Sequence, residues 1–162
     1  MGSLSPFKNA KIWIQEKEYR HIESILGNGK SEAGGMRSKD LKTLFSAEQE
    51  GRVNRIRGEV TLLPGITLTP GGSHTPGFQY VTVETLDGPV IIAGDSTYLY
   101  QNNLWHRPIG DAVDYHDNLE TIQKMHRHAA SPFYILPGHD PRVMKWFPKI
   151  SNGIVEITSV AE

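Results

Sequence analysis

The 162-residue chain contains no cysteine. That absence excludes disulfides, thiolate-held zinc, iron–sulfur clusters and a thiol nucleophile, and leaves histidine, carboxylate and water to hold any metal. An excess of one charge is missing too: 17 Lys and Arg stand against 18 Asp and Glu, a net charge of −1, with no long basic run. Such a balance provides no phosphate-neutralising surface, so neither nucleic acid nor an anionic membrane is expected as a partner. Apolar runs are short, as in Pro89-Val90-Ile91-Ile92-Ala93, against the roughly 18 residues of a membrane span. The start carries no basic segment followed by an apolar stretch, and Pro6 stands where myristoylation needs Ser or Thr. Together these absences point to a cytoplasmic chain. Glycine (16) and proline (10) are abundant, more punctuation than a helical bundle carries, and the length suits a single domain over 1–162.

Periodicity predicts a mixed α+β order. Residues 11–15 read as a strand, and 16–26 as a helix with Tyr19, Ile22 and Ile25 on one face and Gly27 as its C-cap. A polar glycine-rich loop covers 27–37, after which Ser38 or Asp40 caps a short helix bearing Leu41, Leu44 and Phe45. Strands follow at 60–63 and 66–68 around Pro64-Gly65, then at 79–85 and 90–93 around Asp87-Gly88, a hairpin signal. Residues 111–129 have helical spacing, with Ala112, Tyr115, Leu119, Ile122 and Met125 or His126 on one face and Asp111 or Asp114 near the N-terminus. Ser131-Pro132 ends that helix, 133–136 is a short strand, and 154–158 a terminal one.

Three residues sit where an apolar strand runs out into a Gly/Pro-rich turn, a placement that projects polar groups at the rim of a sheet. They are His74 in Gly72-Ser73-His74-Thr75-Pro76-Gly77, Asp95 in Ala93-Gly94-Asp95-Ser96, and His139 in Pro137-Gly138-His139-Asp140-Pro141. Singly, each reads best as a turn residue. Together, two imidazoles and a carboxylate suit zinc or another borderline divalent ion.

These three motifs, in this order and spacing, resemble the C-terminal half of the metallo-β-lactamase superfamily. Gly72-Ser73-His74-Thr75-Pro76-Gly77 and Asp95-Ser96-Thr97-Tyr98 resemble its N-acyl-homoserine-lactonase branch, and residues 4–15 resemble the stretch that follows the family's first metal motif. The resemblance implies an αββα sandwich with two zinc ions at one edge, or other divalent metals in their place. It implies His74 and His139 as terminal ligands, Asp95 as the bridge, and Tyr98 aimed at a substrate carbonyl while metal-bound hydroxide opens a lactone or other small ester. The family's His-x-His-x-Asp-His motif is absent: His126-Arg127-His128 lacks its Asp and last His, and residues two apart on a helix diverge by about 200°. The chain therefore reads as the C-terminal portion of such a domain, starting just after that motif. A sheet cut this way exposes edges and apolar faces, so self-association is expected.

Other readings stand beside this one. The chain is alternatively a catalytically inactive fragment or a module completed by a partner. A mononuclear iron site with two His and one carboxylate has the same donor types. Gly27-Asn28-Gly29-Lys30-Ser31 lacks the first glycine of a phosphate loop, Ser73 and Ser96 lack a nucleophile elbow, and His21, His106 and His116 read as surface residues.

Overall fold

A computed structural model describes residues 4, 6–27, 32–33 and 36–157. Its backbone gathers into two compact units, residues 1–58 with 75–77, and residues 59–74 with 78–162.

In the first unit, β1 (Ile12–Gln15) leads into α1 (Glu16–Gly27), then a two-residue ribbon of β2 (Glu32–Ala33) and β3 (Met36–Arg37), α2 (Ser38–Gln49) and β4 (Val53–Ile56). β4 pairs in parallel with β1, Ile12 opposite Val53 and Gln15 opposite Ile56. A parallel pair needs a long crossover, and the two helices provide it. Tyr19, Ile22 and Ile25 recur at three-residue steps along α1 and form one buried cluster with Ile14 of β1 and Leu41 and Leu44 of α2. The Arg55 guanidinium lies 3.7 Å from the centre of the Tyr19 ring, a cation–π contact. Glu18 Oε2 accepts from Thr75 Oγ1 at 2.7 Å and from the Gly77 amide at 2.9 Å. A side chain at Gly77 would come within 2.6 Å of the Glu18 Cα, so only glycine fits there.

The sequence signals for β1 and α1 match. β4, which the pattern did not mark, is half-buried and lacks clean alternation. The ribbon β2–β3 falls where a loop was expected, α2 is longer than predicted, and residues 28–31 and 34–35 of the glycine-rich segment lie outside the described residues.

The second unit is a five-stranded sheet in spatial order β5 (Val60–Leu63), β6 (Ile66–Pro70), β7 (Gln79–Val83), β8 (Val90–Gly94), β9 (Ile135–Pro137). The first four strands are antiparallel neighbours, whereas β8 and β9 run parallel. The crossover between β8 and β9 holds α3 (Tyr100–Leu104) and α4 (Tyr115–His128). Tyr80, Ile91, Ala93 and Ile135 of the sheet close a core with Ile122 and Met125 of α4. The predicted hairpin is present: Val81 faces Ile92, and Gly88 N–H donates to the Thr85 carbonyl. After β9 come α5 (Val143–Trp146) and a small ribbon of β10 (Lys149–Ser151) and β11 (Ile154–Val155), the latter within the predicted terminal strand.

Two expectations change. α4 starts at Tyr115 rather than at 111, because Asp114 is its N-cap and accepts from the amides of His116 and Asp117. Its buried face is Asn118, Thr121, Ile122 and Met125, with Tyr115 exposed. Residues 132–134 form a 3-10 turn rather than the start of a strand, since Pro132 sits in its first turn and Ser131 caps it.

Candidate functional site

β6 is antiparallel to β7, β7 to β8, and β8 is parallel to β9. It follows that β6, β8 and β9 run the same way and that their C-terminal ends emerge at one edge of the sheet. The loops that leave them carry His74, Asp95 and His139, and the edge where strands deliver their carboxyl ends is where open α/β sheets bind ligands.

The three side chains meet. Asp95 Oδ2 lies 3.4 Å from His74 Nε2, and Asp95 Oδ1 lies 3.0 Å from His139 Nε2. One carboxylate thus offers a different oxygen to each imidazole. The Tyr98 ring stands edge-to-face against both, its centre 5.8 Å from that of His74 and 5.0 Å from that of His139. Its hydroxyl donates to Asp111 at 2.6 and 2.7 Å and lies 3.1 Å from His74 Nδ1. Burial, and after it the Asp111 carboxylate, push the Tyr98 phenol well above its ordinary value, so the hydroxyl keeps its proton.

Glycines let the loops close. Gly71, Gly72 and Gly94 have positive φ, and a Cβ on Gly72 would come within 2.6 Å of Ser96 Cβ. A Cβ on Gly138 would stand 2.6 Å from Asp95 Oδ1 and 2.9 Å from the Gly94 carbonyl. Ser73, at φ 44, is held in the left-handed region by Oγ donating to Asp117 and by its carbonyl accepting from Val113 N–H at 2.7 Å.

Behind the loops lies Asn118, fully buried on α4. Its amide donates to the carbonyls of Gly72 and Ser96, and its oxygen accepts from Ile109 N–H at 2.9 Å. One side chain thus joins the His74 loop, the Asp95 loop and the segment before Asp111. Thr121, one turn on, accepts from Gly72 N–H at 2.9 Å. On the other side, Gly138 N–H donates to the carbonyls of Gly94 and Thr97, and His139 N–H to that of Tyr98 at 3.0 Å. Buried Asp140 accepts from Tyr100 N–H and from the Arg142 guanidinium, which holds its carboxyl down at about 2.

The donor chemistry suits a divalent ion in type and spacing. Two donors each about 2.1 Å from zinc at a tetrahedral angle lie about 3.4 Å apart, close to the two separations around Asp95. The number is incomplete: each pairing provides two donors, catalytic zinc takes three from protein, and no group of three or more is arranged around one ion among the described residues.

His106, His116, His126 and His128 take the contacts of ordinary surface and packing residues. His126 Nε2 meets the Asn103 carbonyl at 3.1 Å and stacks on His106, while His128 Nδ1 meets the Lys124 carbonyl. His116 pairs with Glu120. Asp111 and Asn118 were not among the residues the sequence singled out for the site. Asn118 was findable, being four before Ile122 and seven before Met125 on the buried face; Asp111 sits on a loop whose path no periodicity sets.

The metallo-beta-lactamase superfamily model matches residues 2–139. Curated proteins give no match to the chain. Among solved structures, a mutant of AiiA from B. thuringiensis with N-decanoyl-L-homoserine bound at the active site superposes with a TM-score of 0.65 at 20% identity, over 87% of this chain and 51% of that one. An N-acyl homoserine lactone hydrolase with its product N-hexanoyl-L-homoserine at the catalytic metal center gives the same values. A probable metal-dependent hydrolase from Staphylococcus aureus gives 0.53 at 17% identity, over 74% and 40%. The chain spans about half the length of the lactonases it matches. With its mixed sheet, its three strand-end loops and the match over 2–139, this chain belongs to the metallo-β-lactamase superfamily.

Proposed function

We propose that the chain carries the C-terminal part of a metal-dependent hydrolase site that opens a lactone or other small ester, N-acyl-homoserine lactones first among them. The observation that carries this reading is the Asp95 carboxylate facing His74 through one oxygen and His139 through the other. In it, His74, Asp95 and His139 would hold divalent metal, zinc by preference, which would supply Lewis-acid activation of the ester and of a water. Tyr98, between the two imidazoles, is the residue that faces the substrate carbonyl. The lactonase structures support the substrate class.

A second reading has its own support: two donors per ion are too few to hold zinc tightly, which favours a module that a partner completes, or an inactive one. One experiment separates the two. Zinc content by dialysis and acid release from N-hexanoyl-homoserine lactone are measured on the chain alone and with a polypeptide bearing His-x-His-x-Asp-His. Turnover by the chain alone, abolished in Asp95→Ala, supports a self-sufficient hydrolase. Turnover only with the added polypeptide supports completion, and none in either case, with no zinc retained, removes the hydrolase reading.

A further inference from the structure

We infer that Asp111 is a positioning residue: it accepts the hydrogen bond of the Tyr98 hydroxyl, so that the Tyr98 oxygen accepts from Nδ1–H of His74 and Nε2 of His74 faces Asp95 unprotonated. The inference rests on the ligand reading of His74 for its use, but not for its geometry.

A phenol has one proton and a carboxylate has none to give. The Tyr98 oxygen is 2.6 and 2.7 Å from the two Asp111 oxygens and 3.1 Å from His74 Nδ1. The proton goes to the nearer, charged acceptor, because hydrogen bonds to an ion are shorter and about twice as strong as neutral ones. What Tyr98 then presents to His74 is a lone pair, and only a protonated Nδ1 can pair with it.

The opposing pull is weaker. At Nε2 the acceptor is Asp95 Oδ2, at 3.4 Å, and the same carboxylate also faces His139 at 3.0 Å. At Nδ1 the acceptor is the Tyr98 oxygen at 3.1 Å, with the Asp111 charge beyond it. A histidine ligand is generally fixed in this manner, its second nitrogen donating to a carboxylate or to a group tied to one. Here the carboxylate acts through an interposed tyrosine.

The loop bearing Asp111 is built to hold it. Ile109 N–H is bound by Asn118, the Gly110 carbonyl accepts from the Tyr115 hydroxyl at 2.8 Å, and Val113 N–H donates to Ser73. Backbone anchors thus stand on both sides of Asp111, while its side chain is 61% exposed. Replacing it therefore leaves the core intact.

The test uses the metal-free chain labelled with 15N-histidine, above the imidazole titration range. Long-range proton–nitrogen correlations distinguish a protonated ring nitrogen from a bare one. For His74 the expected pattern is protonated Nδ1 and bare Nε2. In Asp111→Ala, Tyr98 is free to donate to Nδ1, so the pattern reverses; Tyr98→Phe, which removes the bridge, raises the Nε2-protonated form as well. Unchanged amide resonances along α4 and β7 show that the variants keep the fold. A bare Nδ1 in the unaltered chain, or the same pattern in Asp111→Ala, overturns the inference. Neither zinc nor substrate enters the measurement, so failed lactone turnover leaves it standing, and a reversed tautomer sinks it even where a lactone is opened.

Discussion

Asn118 and Gly138 show how much of the site depends on residues that touch no ligand. Asn118→Ala leaves the Ile109 amide and the Gly72 and Ser96 carbonyls without their partner in a buried place, at about 1–3 kcal/mol for each group left unsatisfied. The variant is expected to lose on the order of 3 kcal/mol in urea denaturation; a loss under about 1 kcal/mol would mean that water replaces the amide. Gly138→Ala acts more locally, since its Cβ meets Asp95 Oδ1 and the Gly94 carbonyl. It is expected to lower zinc affinity of the completed site by about tenfold or more, and an unchanged binding isotherm would show that the Asp95 loop yields. At this scale the sequence was informative where glycine and proline flank the candidate side chain, as for His74, Asp95 and His139, while Tyr98 was legible only through the family resemblance; the four side chains come together. Asp111 was not. It was read as a helix-start residue, and its contact with Tyr98 depends on a loop path that local composition does not encode.

Among the elements, α4 was legible in type and inexact in face. Periodicity counts apolar residues, and half of the buried stripe is Asn118 and Thr121, whose burial is made tolerable by hydrogen bonds to the loops. β4 was missed because Val53-Asn54-Arg55-Ile56 owes its strand to parallel pairing with β1, a tertiary effect that overrides weak local preference. Toward its other end, α4 brings His126 against the Asn103 carbonyl of α3 and the ring of His106. Burial holds the His126 imidazole below its ordinary 6.5. Its folded value is thus the lower one, so protons favour the unfolded chain as soon as pH falls below about 6.5, and the stability present above that point is lost as pH drops through the folded value. The urea midpoint of the unaltered chain is expected to fall between pH 7.5 and pH 5.5, and to fall less in His126→Asn. Equal slopes in the two proteins would remove His126 as the cause.

For the whole molecule, the second unit carries its own sheet with β5 and β9 as outer strands, and Leu63, Ile92, Ile150 and Ile154 are each about half exposed or more. Outer strands of a sheet and exposed apolar side chains favour association. Sedimentation is expected to give a mass that rises with concentration; a single monomeric species with a sharp melt at high temperature would contradict this. No helix among the described residues is long and apolar enough to cross a membrane. The chain spans about half the length of the lactonases it matches; its division into two units had no sequence signal, since no linker composition marks residue 58.

The common direction of β6, β8 and β9 makes the sheet polar in a functional sense. The candidate site leaves from one edge; the Pro64-Gly65 turn and residues 84–89 lie at the other. On the proposed function, a change of substrate would call for rewriting the loops of a single edge, while the opposite edge is where a reporter or a grafted peptide can be spliced without touching the candidate site. The Pro64-Gly65 turn is the better of the two splice points, because any side chain at Gly88 in the hairpin would run into Ala130.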